Sequence, residues 1–173
     1  MKPTSRFSQP RRAGRRTDGR AQLDHILDPY QRQQKLHEPA ACGRCGAVYQ
    51  HGRWQWGAKP VHAVDEICPA CRRIQEQLPA GLVTVHGPLT PQQKTEMIGL
   101  VRHQEDAEKA EHPLNRIISI EEGTEGLVIS TTDIHLPRRI GEALERAFRG
   151  KIDMHFDDKG YFVRLDWRAN PGA

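Results

Sequence analysis

The chain of 173 residues contains no run of 18 apolar residues, so its sequence offers no membrane-spanning helix. Its basic start, Met1-Lys-Pro-Thr-Ser-Arg-Phe-Ser, is not followed by an apolar stretch, and does not read as a secretory signal. Rich in Arg and Ser and poor in acid, that start shares its composition with transit peptides. Leu, Ile, Val and Phe supply only 35 of the 173 residues, near the level at which a chain no longer offsets its own entropy. The scarcity is uneven, with 5 of them in residues 1–40 and 17 in residues 113–168. The C-terminal part therefore has the material for a core, and the N-terminal part does not. Phosphate-loop, dinucleotide-binding, nucleophile-elbow and H-E-x-x-H signatures are all missing. The nine histidines are scattered, and the nearest two, His103 and His112, are nine residues apart. Lone histidines so spaced read as ordinary surface residues, and Glu121-Glu122 reads as a solvated pair in a turn. With no nucleophile or base marked out, the sequence does not point to an enzyme.

Only four cysteines are present, and they are arranged as two close pairs, Cys42-Gly-Arg-Cys45 and Cys68-Pro-Ala-Cys71, separated by 22 residues. Pairs of this kind without a secretion signal favour a metal over disulfides, and a reducing cytoplasm as compartment. Two cysteines three apart turn both thiolates toward one point, and two such knuckles make a tetrahedral sulfur site. Zinc (Zn2+) suits it, being redox-inert and content with four thiolates. An iron–sulfur cluster, a redox dithiol pair, or His51 or His62 in place of a cysteine remain alternatives. A site closed by four thiolates leaves no position for water, so it would hold the fold and not activate a nucleophile. The intervening stretch 46–56 has the period-2 character of a hairpin. The whole unit, residues 41–73, reads as a zinc ribbon whose stability depends on its ion.

Charge is concentrated at one end. Residues 1–20 hold Lys2, Arg6, Arg11, Arg12, Arg15, Arg16 and Arg20 against Asp18, or +6, while the whole chain is +4. The other 153 residues therefore sum to −2. Arginines interspersed with Gly, Pro, Ser and Thr predict an extended, disordered arm suited to phosphate. On the ribbon, Arg44, Arg53, Arg72 and Arg73 flank the knuckles beside Tyr49, Trp54 and Trp56, a mixture able to grip a backbone and stack a base. Equally, one Trp would cover the metal site and the other pack on a neighbour. Arg138 and Arg139 fall at a predicted helix start, where the dipole disfavours cations. There they would meet an external anion, or pair with Glu142 and Glu145 along the helix.

The predicted organisation has four parts and belongs to the α+β class. Residues 1–40 form the basic arm, with a short helix in 21–38 interrupted at Asp28-Pro29. Residues 41–73 are the ribbon. Residues 74–113 are a connector with a short strand at Leu82–Val85 and a helix from Pro91. Thr90 and Gln93 provide that helix with a capping box. Residues 114–168 read as a ββαββ unit, an antiparallel sheet covered by one helix. Its helix, about 135–149, is capped by Thr132 or Asp133, buries Ile140, Ala143, Leu144, Ala147 and Phe148, and ends at Gly150. The runs 151–156 and 161–167 flank Asp157-Asp-Lys-Gly160 as a hairpin.

The knuckles Cys42-Gly-Arg-Cys45-Gly and Cys68-Pro-Ala-Cys71, the stretch Thr-Thr-Asp-Ile-His-Leu-Pro-Arg-Arg-Ile-Gly-Glu-Ala-Leu at 131–144 and the ending Val163-Arg-Leu-Asp-Trp167 resemble a known family. The likeness is that of a short bacterial protein to the zinc-containing core of the archaeal and eukaryotic large-ribosomal-subunit adaptor of the nonsense-mediated-decay-three family. It covers roughly residues 40–168, and this chain differs in carrying one four-cysteine set. The resemblance implies zinc binding, association with the large ribosomal subunit and no catalysis. The combined expectation is a cytoplasmic zinc-ribbon protein that binds ribosomal RNA or a ribosomal subunit, with no membrane and no small-molecule substrate. Its metal ligands are Cys42, Cys45, Cys68 and Cys71. Its RNA contacts are Arg11, Arg12, Arg15, Arg16, Arg20, Arg44, Arg53, Arg72, Arg73, Arg138, Arg139 and Trp54. The rival expectation is a protein–protein adaptor in transcription or stress response.

Overall fold

Two mixed sheets and three helices make up the computed structural model, which describes residues 36–124, 126–158 and 160–170. Residues 1–35 of the basic arm, with Arg11, Arg12, Arg15, Arg16 and Arg20, lie outside the described residues, as does most of the segment 21–38 in which a short helix is expected; its described part, 36–38, is not helical, and Ala40 already belongs to a strand.

The first sheet has four three-residue strands, β1 (Ala40–Cys42), β2 (Val48–Gln50), β3 (Arg53–Gln55) and β4 (Val64–Glu66), in the order β3-β2-β1-β4. The β2–β3 hairpin matches the alternation read in 46–56. His51 and Gly52 turn it, both at positive φ (55° and 75°), as a tight hairpin on a twisted ladder requires. Strand β4 runs parallel to β1 with Cys42 opposite Glu66. Helix α1 (Pro69–Glu76) follows at once.

The second sheet contains β5 (Gly81–His86), β6 (Ile117–Gly123), β7 (Gly126–Thr131), β8 (Gly150–Phe156) and β9 (Val163–Ala169), in the order β6-β7-β5-β9-β8. Here the expected four-stranded antiparallel sheet is corrected. The run at 82–85, read as part of a connector, extends to six residues and is the central strand. It pairs antiparallel with β7 and parallel with β9. Its Val83 and Val85 are fully buried while Leu82, Thr84 and His86 are half-buried on the other face. Without it, the halves β6-β7 and β9-β8 would each leave an open edge.

Helices α2 (Pro91–Glu111) and α3 (Leu136–Phe148) pack on one face of this sheet. The capping box at Thr90 forms as read. The Thr90 hydroxyl accepts from the Gln93 N–H at 3.2 Å, and the Gln93 side chain accepts from the Thr90 N–H at 3.0 Å. Met97 and Val101 of α2, Ile140 and Leu144 of α3, and Leu127, Ile129, Leu165 and Trp167 of the strands share one core. Ala147, expected on the buried face of α3, is exposed. Gly141 is buried instead, and a Cβ there would lie 2.4 Å from Leu165 Cδ1. The helix closes with Arg149 in the left-handed conformation, not with Gly150. Gly150 opens β8, where a Cβ would lie 2.2 Å from the Trp167 ring.

Gly126 is required by both its backbone and its surroundings. Its φ is +132°, and a Cβ there would lie 1.8 Å from the Val85 carbonyl oxygen across the ladder. Gly126→Ala is expected to cost about 3 kcal/mol from combined strain and overpacking. Gly99, mid-helix with nothing within 4 Å of its would-be Cβ, is the control. Gly99→Ala should stabilise by about 0.5–1 kcal/mol. Denaturant midpoints of the two variants check both signs.

Candidate metal centre

Backbone geometry brings the knuckles together. After β1, the chain turns through Gly46 (φ +80°). The Cys42 N–H donates to the Ala47 carbonyl at 2.7 Å and the Gly46 N–H to the Cys42 carbonyl at 2.9 Å. The second knuckle is a helix start. Cys68 is the N-cap of α1, with Pro69 next to it, and its Sγ accepts from the Cys71 N–H at 3.4 Å. The parallel pairing of β4 with β1 carries Cys68 to the first knuckle, where its N–H donates to Cys42 Sγ at 3.4 Å.

All four cysteines are free thiols, and their Sγ atoms lie within 4.8 Å of one another. Cys45 and Cys68 are 3.7 Å apart. A tetrahedron with 2.3 Å metal–sulfur bonds has an edge of about 3.8 Å, so the donor set fits a four-coordinate metal ion with small adjustment. The four cysteines are therefore placed to hold a metal ion. His51 sits at the exposed tip of the β2–β3 hairpin and His62 in an exposed turn, and neither belongs to the cluster.

The four sulfurs are not equivalent. Burial would raise the Cys42 thiol, yet N–H donors of Cys68, Cys45 and Arg44 pull it down to about 6. Cys68 is fully buried, and burial together with the neighbouring thiolates pushes it up. Burial also raises Cys71, against the opposing effect of the Arg116 guanidinium. That guanidinium was not anticipated among the site residues. Arg116 is 7 % exposed, and its Nη2 lies 3.2 Å from Cys68 Sγ, 3.4 Å from Cys71 Sγ and 3.7 Å from Cys45 Sγ. Burial works against its charge, but the thiolates more than restore it and raise its pKa. Its sequence signal was slight, a single cation leading an apolar strand.

The residues expected to contact RNA divide sharply. Arg44 and Arg53 are exposed on the ribbon, and Arg72 is half-buried. Arg73 is buried and donates to the Leu78 carbonyl at 3.1 Å. Trp54 is half-buried against the cysteine cluster, with Tyr49 at 5.5 Å between ring centroids. Trp56 donates through Nε1 to the Lys109 carbonyl of α2. Arg138 pairs with Glu142 at 2.8 Å, as the helical spacing allows. Arg139 pairs at 3.1 Å with Glu108 of α2, not with Glu145. The N–H groups at the start of α3 are already engaged, because Asp133 Oδ1 accepts from His135 at 2.7 Å and Leu136 at 2.8 Å. Burial raises the Asp133 carboxyl against those donors. Beside this helix start, an open cavity of about 780 Å³ is bordered by Glu108, His112, His135, Arg138 and Arg139.

Among the described residues no helix is long and apolar enough to cross a membrane. No family model matches the chain, and no curated protein matches it at a significant level.

Proposed function

We propose that this chain is a cytoplasmic, non-enzymatic zinc-ribbon protein that binds structured RNA, as ribosomal RNA or on a ribosomal subunit. The observation that carries the reading is the closed sulfur cluster. Four thiolates fill every position of a tetrahedral zinc ion, so the ion holds a scaffold and leaves no site for substrate or water. Function then falls to the surface that the scaffold presents. Arg44 and Arg53 are exposed there, and the arm adds six net positive charges in 20 residues. Guanidinium groups so placed suit a phosphate backbone. The likeness of residues 40–168 to the ribosomal adaptor core supports a ribosomal particle as the partner.

Salt dependence tests this. With about six phosphate contacts, affinity for a ribosomal RNA fragment should fall on the order of a thousandfold between 50 and 200 mM salt. Deleting residues 1–20 should flatten that slope. Fluorescence polarisation with labelled RNA measures both, and a shallow slope in the full chain contradicts the reading.

One observation favours a second reading, the protein–protein adaptor. Val61 is 92 % exposed, and Val64 and Ile67 are exposed on or beside the edge strand β4. Apolar side chains along an open edge suit strand addition by a protein partner. Under that reading, partner association survives both high salt and loss of the arm.

A further inference from the structure

Arg116 joins two parts of the molecule that the sequence separates. Its backbone belongs to the sheet unit. The Arg116 N–H donates to the Thr132 hydroxyl at 2.9 Å, and its carbonyl accepts from the Thr132 N–H at 2.9 Å. The Thr132 hydroxyl also donates to the Leu114 carbonyl at 2.6 Å. From this anchor the side chain enters the ribbon, where one nitrogen faces three of the four sulfurs. Its Nε is buried without a hydrogen-bond partner, so nothing at that atom offsets the burial, while Nη2 has three sulfurs within 3.7 Å.

The cluster needs such a group. Four thiolates around a divalent ion carry a net charge of two minus, and a buried charge needs a partner. Backbone N–H groups supply part of this, from Cys68 to Cys42 Sγ and from Cys71 to Cys68 Sγ. Among the ribbon's own arginines, Arg53 is exposed at the hairpin, away from the buried sulfurs. Arg44 is exposed, and Arg73 donates to the Leu78 carbonyl. Groups that hydrogen-bond metal ligands set ligand orientation and metal affinity.

We propose that Arg116 is a positioning residue for the metal centre. Its guanidinium donates to the sulfurs of Cys68, Cys71 and Cys45, offsets the charge of the tetrathiolate, and ties the ribbon to the sheet unit through the ion. The inference rests on the zinc reading above. It makes Thr132, in the stretch before α3, the support of a residue that serves a metal site whose sulfurs at Cys68 and Cys71 lie 48 and 45 positions before that residue. It also predicts that metal release and separation of the ribbon from the sheet occur together.

The test uses the full chain loaded with cobalt(II) in place of zinc. Wild type, Arg116→Met and Arg116→Lys are compared by the sulfur-to-cobalt charge-transfer band and by the rate of metal loss to excess EDTA. A thiolate relieved of a hydrogen bond is more electron-rich, so the band of Arg116→Met should move to lower energy. Metal loss should accelerate roughly 10- to 100-fold, and Arg116→Lys should lie between the two. A merely structural role would not shift the band. An unchanged band with a release rate within twofold of wild type overturns the inference and leaves the zinc reading standing. A wild-type chain that takes up no cobalt overturns both. Should Arg116→Met fail to fold, wild type loaded with cadmium-113 decides the matter by NMR. Scalar coupling between the Arg116 Nη protons and cadmium supports the contact, and protons exchanging freely with water overturn it.

Discussion

Cys68→Ser should release the metal and unravel the ribbon while the five-stranded sheet remains folded. The reason lies in what each part buries. The fully buried side chains of the ribbon are mainly small, Ala40, Ala47, Val48 and Cys68, and the packing around the cluster is cysteine and alanine with Trp54 and Leu114 at its margin. A core of alanines supplies little transfer free energy. Structural zinc sites contribute about 10–16 kcal/mol, more than such a unit could replace. The sheet depends instead on Val83, Val85, Leu127, Ile129, Leu144 and Leu165, all fully buried in a core separate from the cysteine cluster. In hydrogen exchange, segments 40–42 and 69–76 should lose protection, while 81–86 and 126–131 keep theirs. EDTA on the wild-type chain should give the same pattern. Acid should act similarly. Burial holds the Cys68 and Cys71 thiols high in the metal-free protein, so protons compete for those sulfurs and metal affinity falls as pH drops.

Trp167→Ala should be the most damaging single change in the sheet unit. Trp167 is 1 % exposed on β9, opposite Val85 on one side and Ile152 on the other. Its ring occupies the space that Gly150 leaves by lacking a side chain. Removing a buried Trp costs about 3–5 kcal/mol, a large share of the about 5–15 kcal/mol by which domains are stable. The melting temperature should fall by about 10 °C or more. Trp167→Phe should cost under about 2 kcal/mol, because the indole Nε1 is buried without a partner and its removal takes away an unsatisfied donor. Equal losses for the two variants, measured by thermal and denaturant unfolding, would show that ring volume is not what this position provides.

What the sequence made legible was local. The knuckle spacing, the capping box at Thr90, the amphipathic face through Ile140 and Leu144, and the β8–β9 hairpin each depend on residues a few positions apart. The structure places them as read. The position of β5 was not legible. Leu82–Val85 alternates like any half-buried strand, and nothing within it names β7 and β9 as partners, which lie more than 40 and 75 residues further on. Arg116 was missed for the same reason. A cation at a strand start reads as a surface residue, and only the pairing of Arg116 with Thr132 carries it to the thiolates. Arg73 shows the reverse. Grouped by sequence with exposed arginines, it lies buried against a helix end. The ion pairs of Arg138 and Arg139 were half legible. The partner four residues along, Glu142, follows from helical spacing, and Glu108 on a different helix does not.

X-ray absorption at the zinc edge, on protein purified without added metal and quantified for zinc, tests the central claim most directly. The account predicts one zinc per chain, surrounded by four sulfurs at about 2.3 Å with no nitrogen or oxygen neighbour. Protein free of zinc, or a spectrum that requires a water or imidazole ligand, would contradict it.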